Sequence, residues 1–288
     1  MHEIRYSAPQ SLADAVGLLA ADDARVLAGG TDLLIQLRAG TSPARHLVDI
    51  KRIAELATLA FDDAGTLHLG AAVPCCRLAE DARVRRTFPG LAEATGLIGS
   101  TQIQSRATIA GNLCNGSPAA DTTPALVALG AMAIVHGPGG RREVPVADFV
   151  SGPGRTVLQR GELLVELRIA TPAAHTADAY QRFIPRNEMD IAVVGVGASI
   201  TLDGGRCAAA RIALGAVGPT VLVATDAAQA LVGSTLDDTA LARAAEAATA
   251  AARPISDMRA PAAYRREITG VLTRRVVAEA ARRAQQGA

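Results

Sequence analysis

Leu27-Ala28-Gly29-Gly30-Thr31-Asp32-Leu33 and, much further on, Thr108-Ile109-Ala110-Gly111-Asn112 are the stretches on which the reading of this chain turns. Each adjoins apolar segments, and each offers a run of backbone N–H groups with no bulky side chain in the way. N–H groups that point into one concavity bind anionic oxygens, so such loops suit a diphosphate. Gly29-Gly30 alone reads more simply as a tight turn, Asn112 alone as a turn residue and Asp121 alone as an N-cap. Two such stretches together, the second followed by Ser117-Pro118 and Asp121-Thr122-Thr123-Pro124, point to a dinucleotide gripped from two sides.

The surroundings of the first stretch form a βαβ-like unit. Ser11 to Ala21 reads as a helix with Ser11 as N-cap and Asp14 in its first turn. Arg25 to Ala28 is a short strand running into the loop, Asp32 to Arg38 a helix closed by Gly40, and His46 to Ile50 the next strand. Around the second stretch, Leu67 to Gly70 reads as a strand. Cys76 to Ala82, Phe88 to Gly96 and Asp121 to Leu129 read as helices, Pro124 being tolerated in a first turn. Ala133 to His136, Val144 to Val146 and Leu163 to Ile169 read as strands. Thr171 to Asp178 is small and polar, a linker. Beyond it come strands at Ala179 to Phe183, Ile191 to Leu202 and Cys207 to Ala216, then helices at Thr239 to Ala252 and Ala260 to Gln285, an α+β arrangement. Gly195-Val196-Gly197 echoes a dinucleotide fingerprint but lacks the third glycine and sits inside a strand pattern, so it reads as close strand packing.

Composition narrows the function. The 288 residues are long enough for two or three small domains, with 49% apolar and 20% charged residues in an ordinary globular balance. A formal net charge of +1 offers no field for nucleic acid or an anionic membrane, and 2% aromatic residues with no Trp offer no stacking platform for bases. The start of the chain lacks the charged-then-apolar run of a signal peptide, and no long uncharged apolar stretch predicts a membrane span, so a cytoplasmic location is expected. Cys75, Cys76, Cys114 and Cys207 have no cluster or zinc spacing, and His2, His46, His68, His136 and His175 are scattered, so no metal site is expected. The arginine pairs 265–266, 274–275 and 282–283 read as a solvated or subunit-facing surface. Asp257 and Arg259 read as a structural pair.

In order along the chain, four blocks carry a resemblance: Ala28-Gly29-Gly30-Thr31-Asp32-Leu33; Gln102-Ile103 with Thr108 to Leu113 and Ser117 to Asp121; Arg186 with Asp190-Ile191-Ala192; and Pro254 to Arg259 with Tyr264-Arg265-Arg266. Over nearly its whole length the chain resembles the FAD-binding medium subunit of the molybdenum hydroxylases, the xanthine dehydrogenase and carbon monoxide dehydrogenase family. The resemblance implies an α+β fold. A two-subdomain FAD-binding domain of the vanillyl-alcohol oxidase (PCMH) type would span 1–172, with subdomains at about 1–54 and 55–172. A smaller α+β C-terminal domain would span 178–288. FAD would lie extended between the subdomains. Leu27, Ala28, Gly29, Gly30, Thr31, Asp32 and Leu33 would hold its diphosphate from one side and Thr108, Ala110, Gly111 and Asn112 from the other. By the same resemblance Asp121 matches an acid that binds adenosine or ribityl hydroxyls, Leu164 a residue packing near the flavin or adenine, and Arg182 stands where a Lys commonly sits near the cofactor. The implied partners are an iron–sulfur small subunit with two 2Fe-2S clusters and a molybdenum-cofactor large subunit, assembled as a dimer of heterotrimers. Electrons from the clusters would reach FAD singly and leave to NAD+, oxygen or another acceptor, with the flavin carrying the chemistry and no strict catalytic side chain on this chain.

There are departures from the pattern. Ala110 replaces a glycine, and its methyl needs slightly more room or a backbone with φ below zero. Gln181 stands where some relatives place an aromatic, and Tyr180, one residue away, faces the other side of a strand. The first loop reads Gly-Gly-Thr-Asp rather than the Gly-Gly-x-Ser of the carbon monoxide enzymes, a lean toward an aromatic, purine, aldehyde or acyl-CoA substrate. Two other readings stay open on the residues: a self-contained flavin oxidase of the vanillyl-alcohol oxidase type, and an assembly subunit that has lost FAD.

Overall fold

The computed structural model of the chain describes residues 3–287; Met1, His2 and Ala288 lie outside them, and with them the expectation for His2. Three larger sheets organise the chain. The first comprises β1 (Arg5–Ser7), β2 (Ala24–Leu27) and β3 (His46–Asp49) in the order β1-β3-β2, all parallel. Parallel neighbours need crossovers, here carried by α1 (Leu12–Leu19) and α2 (Leu33–Arg38). Ser11 caps α1, its hydroxyl accepting the Asp14 N–H at 3.1 Å. Gly40, with φ of +71°, ends α2 in the left-handed conformation that glycine tolerates best.

The second sheet is antiparallel. It contains β4 (Leu59–Phe61), β5 (Leu67–Gly70), β6 (Met132–Gly137) and β7 (Gly140–Pro145), with a small hairpin of β8 (Val150–Gly152) and β9 (Arg155–Thr156) leading to β10 (Leu163–Ile169); the order is β4-β5-β10-β6-β7. Helices α3 (Cys75–Glu80), α4 (Ala82–Thr87), α5 (Pro89–Gly96), α6 (Thr101–Gln104), α7 (Ile109–Cys114), α8 (Thr122–Ala128) and α9 (Val146–Phe149) accompany it. The single helix expected over 76–82 is broken at Asp81, whose carboxylate accepts the Arg83 and Val84 amides at 2.9 Å and so starts α4. With aromatics scarce, the core is aliphatic: Leu56, Leu67, Leu91, Leu113, Leu126 and Leu167 surround the fully buried Phe88 and Phe149.

The third sheet runs β11 (Thr176–Phe183), β12 (Val194–Asp203), β13 (Arg206–Gly215) and β14 (Leu222–Val223), antiparallel and in chain order. The strand starts at Thr176, so the linker expected over 171–178 is shorter than its composition implied. The helices α10 (Thr225–Gln229), α11 (Asp238–Ala251) and α12 (Ala262–Gln285) follow. Alternation along β12 sends Val194, Val196, Ala198 and Ile200 into a core with Leu272 and Val276 of α12. The opposite face carries Gly195 and Gly197. A methyl on Gly197 would meet the Pro124 carbonyl oxygen of α8 at 2.6 Å, and one on Gly195 the Tyr180 hydroxyl at 2.7 Å. Gly195-Val196-Gly197 is thus a strand whose missing side chains admit a helix, in keeping with its reading as close packing.

Two of the arginines expected on a solvated surface are structural instead. Arg265 is only 3% exposed and donates to Val193 O at 2.7 Å and to Asp257 Oδ1 at 2.7 Å. Arg283 binds Glu93 of α5 and the Asp178 carbonyl. Asp257 pairs with Arg259 as expected, accepting its N–H at 2.9 Å and meeting its guanidinium at 3.9 Å, and also takes Arg265, while Arg259 reaches Asp190 at 3.3 Å. Among the described residues no helix is long and apolar enough to cross a membrane.

Candidate cofactor-binding site

A cleft of about 640 Å³ lies between the first and second sheets, within the size range of small-molecule sites. One wall is the 28–33 loop, which leaves the C-terminal end of β2 and enters α2. Among the described residues, the N–H groups of Gly29, Gly30, Thr31 and Asp32 have no protein acceptor. Behind the loop, Lys51 Nζ donates to the Ala28 carbonyl at 2.9 Å and meets Asp49 at 2.7 Å, and the Tyr6 hydroxyl donates to Asp49 at 2.6 Å. Burial pushes the Asp49 carboxyl up, but the hydrogen bonds from Lys51 and Tyr6 outweigh it and leave its pKa below the ordinary value.

The facing wall corrects the sequence reading. Thr108 to Asn112 is not a loop but the start of helix α7: Thr108 is its N-cap, with Oγ1 accepting the Gly111 N–H at 2.9 Å. Gly111-Asn112 carries turn chemistry, and the third helical position is glycine rather than the Glu or Gln of a capping box, so the usual signal of a helix start is missing. Gly111 takes its amide from the free set, but those of Ile109 and Ala110 have no partner among the described residues. Ala110 is helical, with its methyl buried in the core, and is not among the residues with positive φ. A methyl on Gly111 would meet only Thr108 Oγ1, at 3.0 Å, so this turn faces open space.

The walls touch at two points. A methyl on Gly29 would stand 2.0 Å from the Arg106 carbonyl oxygen and 2.9 Å from the Ala107 Cα, so this glycine is required by the facing backbone. Gln36 Nε2 of α2 donates to Asn115 Oδ1 beyond α7 at 3.0 Å. From the loops the cleft lining continues along β2, with Val26, Leu158 and Leu164, to Asp22 and Arg160, an exposed ion pair at 2.9 Å.

Of the residues singled out by sequence, Ala28, Gly29, Gly30, Thr31, Asp32, Leu33, Thr108, Ala110, Gly111, Asn112 and Leu164 line this cleft. Three do not. Leu27 lies under the loop, its Cδ1 2.9 Å from where a Gly30 methyl would sit. Asp121 and Arg182 lie behind the α7 wall and bind each other: Arg182 Nη1 meets Asp121 Oδ2 at 2.6 Å, and the Tyr180 hydroxyl donates to Asp121 Oδ1 at 2.9 Å. Asp121 makes no side-chain cap to α8. Burial lifts its carboxyl to about 6, and Arg182 and Tyr180 hold it from rising further. Tyr180 is buried in this contact, and Arg182 Nε is buried without a partner. Sequence reasoning missed Gln36, Asn115, Asp49, Lys51 and Thr122. The last donates to Asn112 Oδ1 at 2.7 Å, and none of the five stands in a pattern that announces its partner.

This arrangement fits FAD. Two facing rows of unpartnered amides suit a diphosphate, and an apolar arm along β2 leads away from them. Comparison with known proteins agrees. Residues 2–172 match the family described as the FAD binding domain in molybdopterin dehydrogenase. Residues 179–280 match the CO dehydrogenase flavoprotein C-terminal domain. The xanthine dehydrogenase FAD-binding subunit of Escherichia coli O157:H7 is 35% identical over 96% of this chain and 95% of its own length. The carbon monoxide dehydrogenase medium chain of Afipia carboxidovorans is 36% identical over 97% of each. A chain of the reconstituted CO dehydrogenase from Oligotropha carboxidovorans superposes with a TM-score of 0.94 at 35% identity, covering 98% of this chain and 99% of that one. A chain of quinoline 2-oxidoreductase from Pseudomonas putida 86 does so with 0.91 at 34% identity, covering 98% of both. The chain therefore belongs to the FAD-binding subunits of the molybdenum hydroxylases, the xanthine dehydrogenase and carbon monoxide dehydrogenase family of oxidoreductases.

Proposed function

We propose that this chain is the electron-transfer flavoprotein of a multi-subunit molybdenum hydroxylase, with an FAD-binding domain at 1–172 in two subdomains and a C-terminal domain at 178–288. Its partners are an iron–sulfur small subunit with two 2Fe-2S clusters and a molybdenum-cofactor large subunit, in a dimer of heterotrimers. FAD supplies the capacity to take up electrons one at a time and release them in pairs to NAD+, oxygen or another acceptor. The observation that carries this reading is that the unpartnered amides of Gly29 to Asp32 and the start of α7, at Ala110 to Asn112, line one cleft from opposite sides.

The work of the chain is to bind and orient. The Gly29–Asp32 and α7 amides receive the diphosphate. Lys51, by holding the Ala28 carbonyl, keeps the loop amides turned into the cleft. Leu164 and Val26 line the arm that takes one end of the dinucleotide. No side chain on the cleft walls is called on to move a proton. Burial pushes the thiol of Cys114 up to about 12, so it stays uncharged at neutral pH.

The test is co-expression with the two partner subunits and purification of the assembly. Visible flavin absorption, together with iron and molybdenum in the same particle and reduction of the flavin by the hydroxylase substrate, is the expected result. Flavin without iron or molybdenum would favour a self-contained oxidase, and an assembly without flavin would leave a scaffold role.

A further inference from the structure

Asn112 stands on the cleft wall, but what aims its side chain lies deeper. Thr122, the first residue of α8, is fully buried, and its hydroxyl donates to Asn112 Oδ1 at 2.7 Å. That hydroxyl has no other acceptor among the described residues, so its proton goes to Oδ1. An Asn carboxamide has one acceptor end and one donor end. With Oδ1 engaged by Thr122, the Nδ2 end is the one left for the cleft, where a donor suits an anionic diphosphate. The residue before Thr122 is Asp121, and both its carboxylate oxygens are taken by side chains of β11: Oδ1 by Tyr180 and Oδ2 by Arg182. Tyr180 and Arg182 stand two apart on one face of β11, opposite Gly197 and Gly195. Gly197 leaves room for the Pro124 carbonyl of the same α8 turn. Two sets of hydrogen bonds, joined through the Asp121–Thr122 peptide bond, thus link the third sheet to the cofactor cleft.

We propose that Thr122 is a positioning residue that fixes the Asn112 amide toward the FAD diphosphate, and that the C-terminal domain holds it there through Tyr180, Arg182 and Asp121. This rests on the reading of the cleft as the diphosphate site. It gives the C-terminal domain a part in cofactor binding although neither Tyr180 nor Arg182 lines the cleft.

The experiment uses the assembled holoenzyme, with FAD removed and restored. FAD affinity and the ³¹P resonances of the bound diphosphate are measured for Asn112→Ala, Thr122→Val, Thr122→Ser and Tyr180→Phe. A hydrogen bond to a charged group corresponds to roughly 10- to 100-fold in affinity. Asn112→Ala and Thr122→Val should each weaken FAD by about tenfold or more and displace the same ³¹P resonance. Thr122→Ser, which keeps the hydroxyl, should restore both. Tyr180→Phe should move the resonance in the same direction by less, and combined with Thr122→Val should add little. If Thr122→Val does not fold, Thr122→Ala, which also lacks the hydroxyl, takes its place. Wild-type resonances and affinity in Asn112→Ala would sink the underlying reading of the diphosphate site. A perturbed Asn112→Ala beside a wild-type Thr122→Val, or a Thr122→Ser that fails to rescue, would overturn the positioning role alone.

Discussion

Two junctions run through this molecule, and they treat polar groups in opposite ways. In the cleft between the first and second sheets, the amides of Gly29 to Asp32 have no acceptor among the described residues, and α2 buries none of its residues. At the seam between the helices of the second sheet and the face of the third, nearly every polar group is matched. Asp121 meets Tyr180 and Arg182, the Leu91 amide meets Asp178, and Glu93 meets Arg283. Unpaired polar groups are tolerated where water or a ligand can reach them and are costly where neither can. The cleft thus presents its amides to whatever enters it, while the seam satisfies its polar groups within the protein.

The largest expected effect falls on the cleft. In Gly29→Ala the new methyl meets main chain, the Arg106 carbonyl oxygen at 2.0 Å, and main chain cannot swing aside as a side chain would. The loop and the 106–107 segment must part. Overpacking of this kind costs about 1–3 kcal/mol, which converts to roughly 100-fold in FAD affinity at its upper end. Because α2 contributes little buried surface, thermal stability of the FAD-free protein should hardly move. Reconstitution titrations and melting curves of the same preparation check this. A variant that keeps FAD would show that the two walls need not meet as they do.

Gly197→Ala is the counterpart at the seam and should invert the ratio. Its methyl meets the Pro124 carbonyl at 2.6 Å, so β12 and α8 must separate, at about 1–3 kcal/mol of stability. FAD affinity should fall by less than in Gly29→Ala, since only the displacement of α8 reaches the cleft. Denaturant unfolding with and without FAD separates the two terms. If Gly197→Ala loses cofactor as severely as Gly29→Ala at unchanged stability, the seam and the cleft are one unit and the contrast between them fails.

The cleft side of this contrast was more legible in the sequence than the seam. The strand, loop and helix around Gly29-Gly30 follow from turn chemistry and a short apolar run, which are local signals, and β5 and β10 fall at 67–70 and 163–169 as their apolar patterns predict. The second wall reads as a loop in the sequence and is a helix start in the structure, because Gly111 and Asn112 look like turn residues while Thr108 caps without the usual Glu or Gln. β1 was missed because Arg-Tyr-Ser has no alternation; it exists because β3 offers it an edge. The seam depends on partners far apart in sequence. Asp121 reads as a cap until β11 brings Tyr180 and Arg182 to it, and Arg283 reads as surface until Glu93 and the Asp178 carbonyl meet it. Such pairings come from tertiary packing, which no window of neighbouring residues contains.

The smallest effect probes a carboxylate of the seam that, like Arg182 Nε, is incompletely matched among the described residues. Asp178 accepts the Leu91 amide at 3.0 Å through Oδ2, but its Oδ1 is buried with no partner. Burial raises its carboxyl to about 7, against the pull of the Gly90 and Leu91 amides and of Arg283, with Glu93 adding to the rise. The sign follows from linkage. An unfolded Asp titrates near 3.9, so between that value and about 7 the folded chain holds a proton that the unfolded chain has released. Stability is therefore greatest in acid and declines as pH rises toward neutrality. Asp178→Asn keeps an acceptor for Leu91 but cannot ionise. Between pH 5.5 and 8 the wild type should lose Tm by roughly 5 °C more than Asp178→Asn. The variant should retain a shallower slope of the same sign, because Asp121, raised to about 6 at the other end of the seam, titrates in the lower part of that range. Parallel slopes for the two proteins would mean that Asp178 is ionised throughout, with Arg283 rather than a proton neutralising it, and the seam would then be as fully paired as its other contacts.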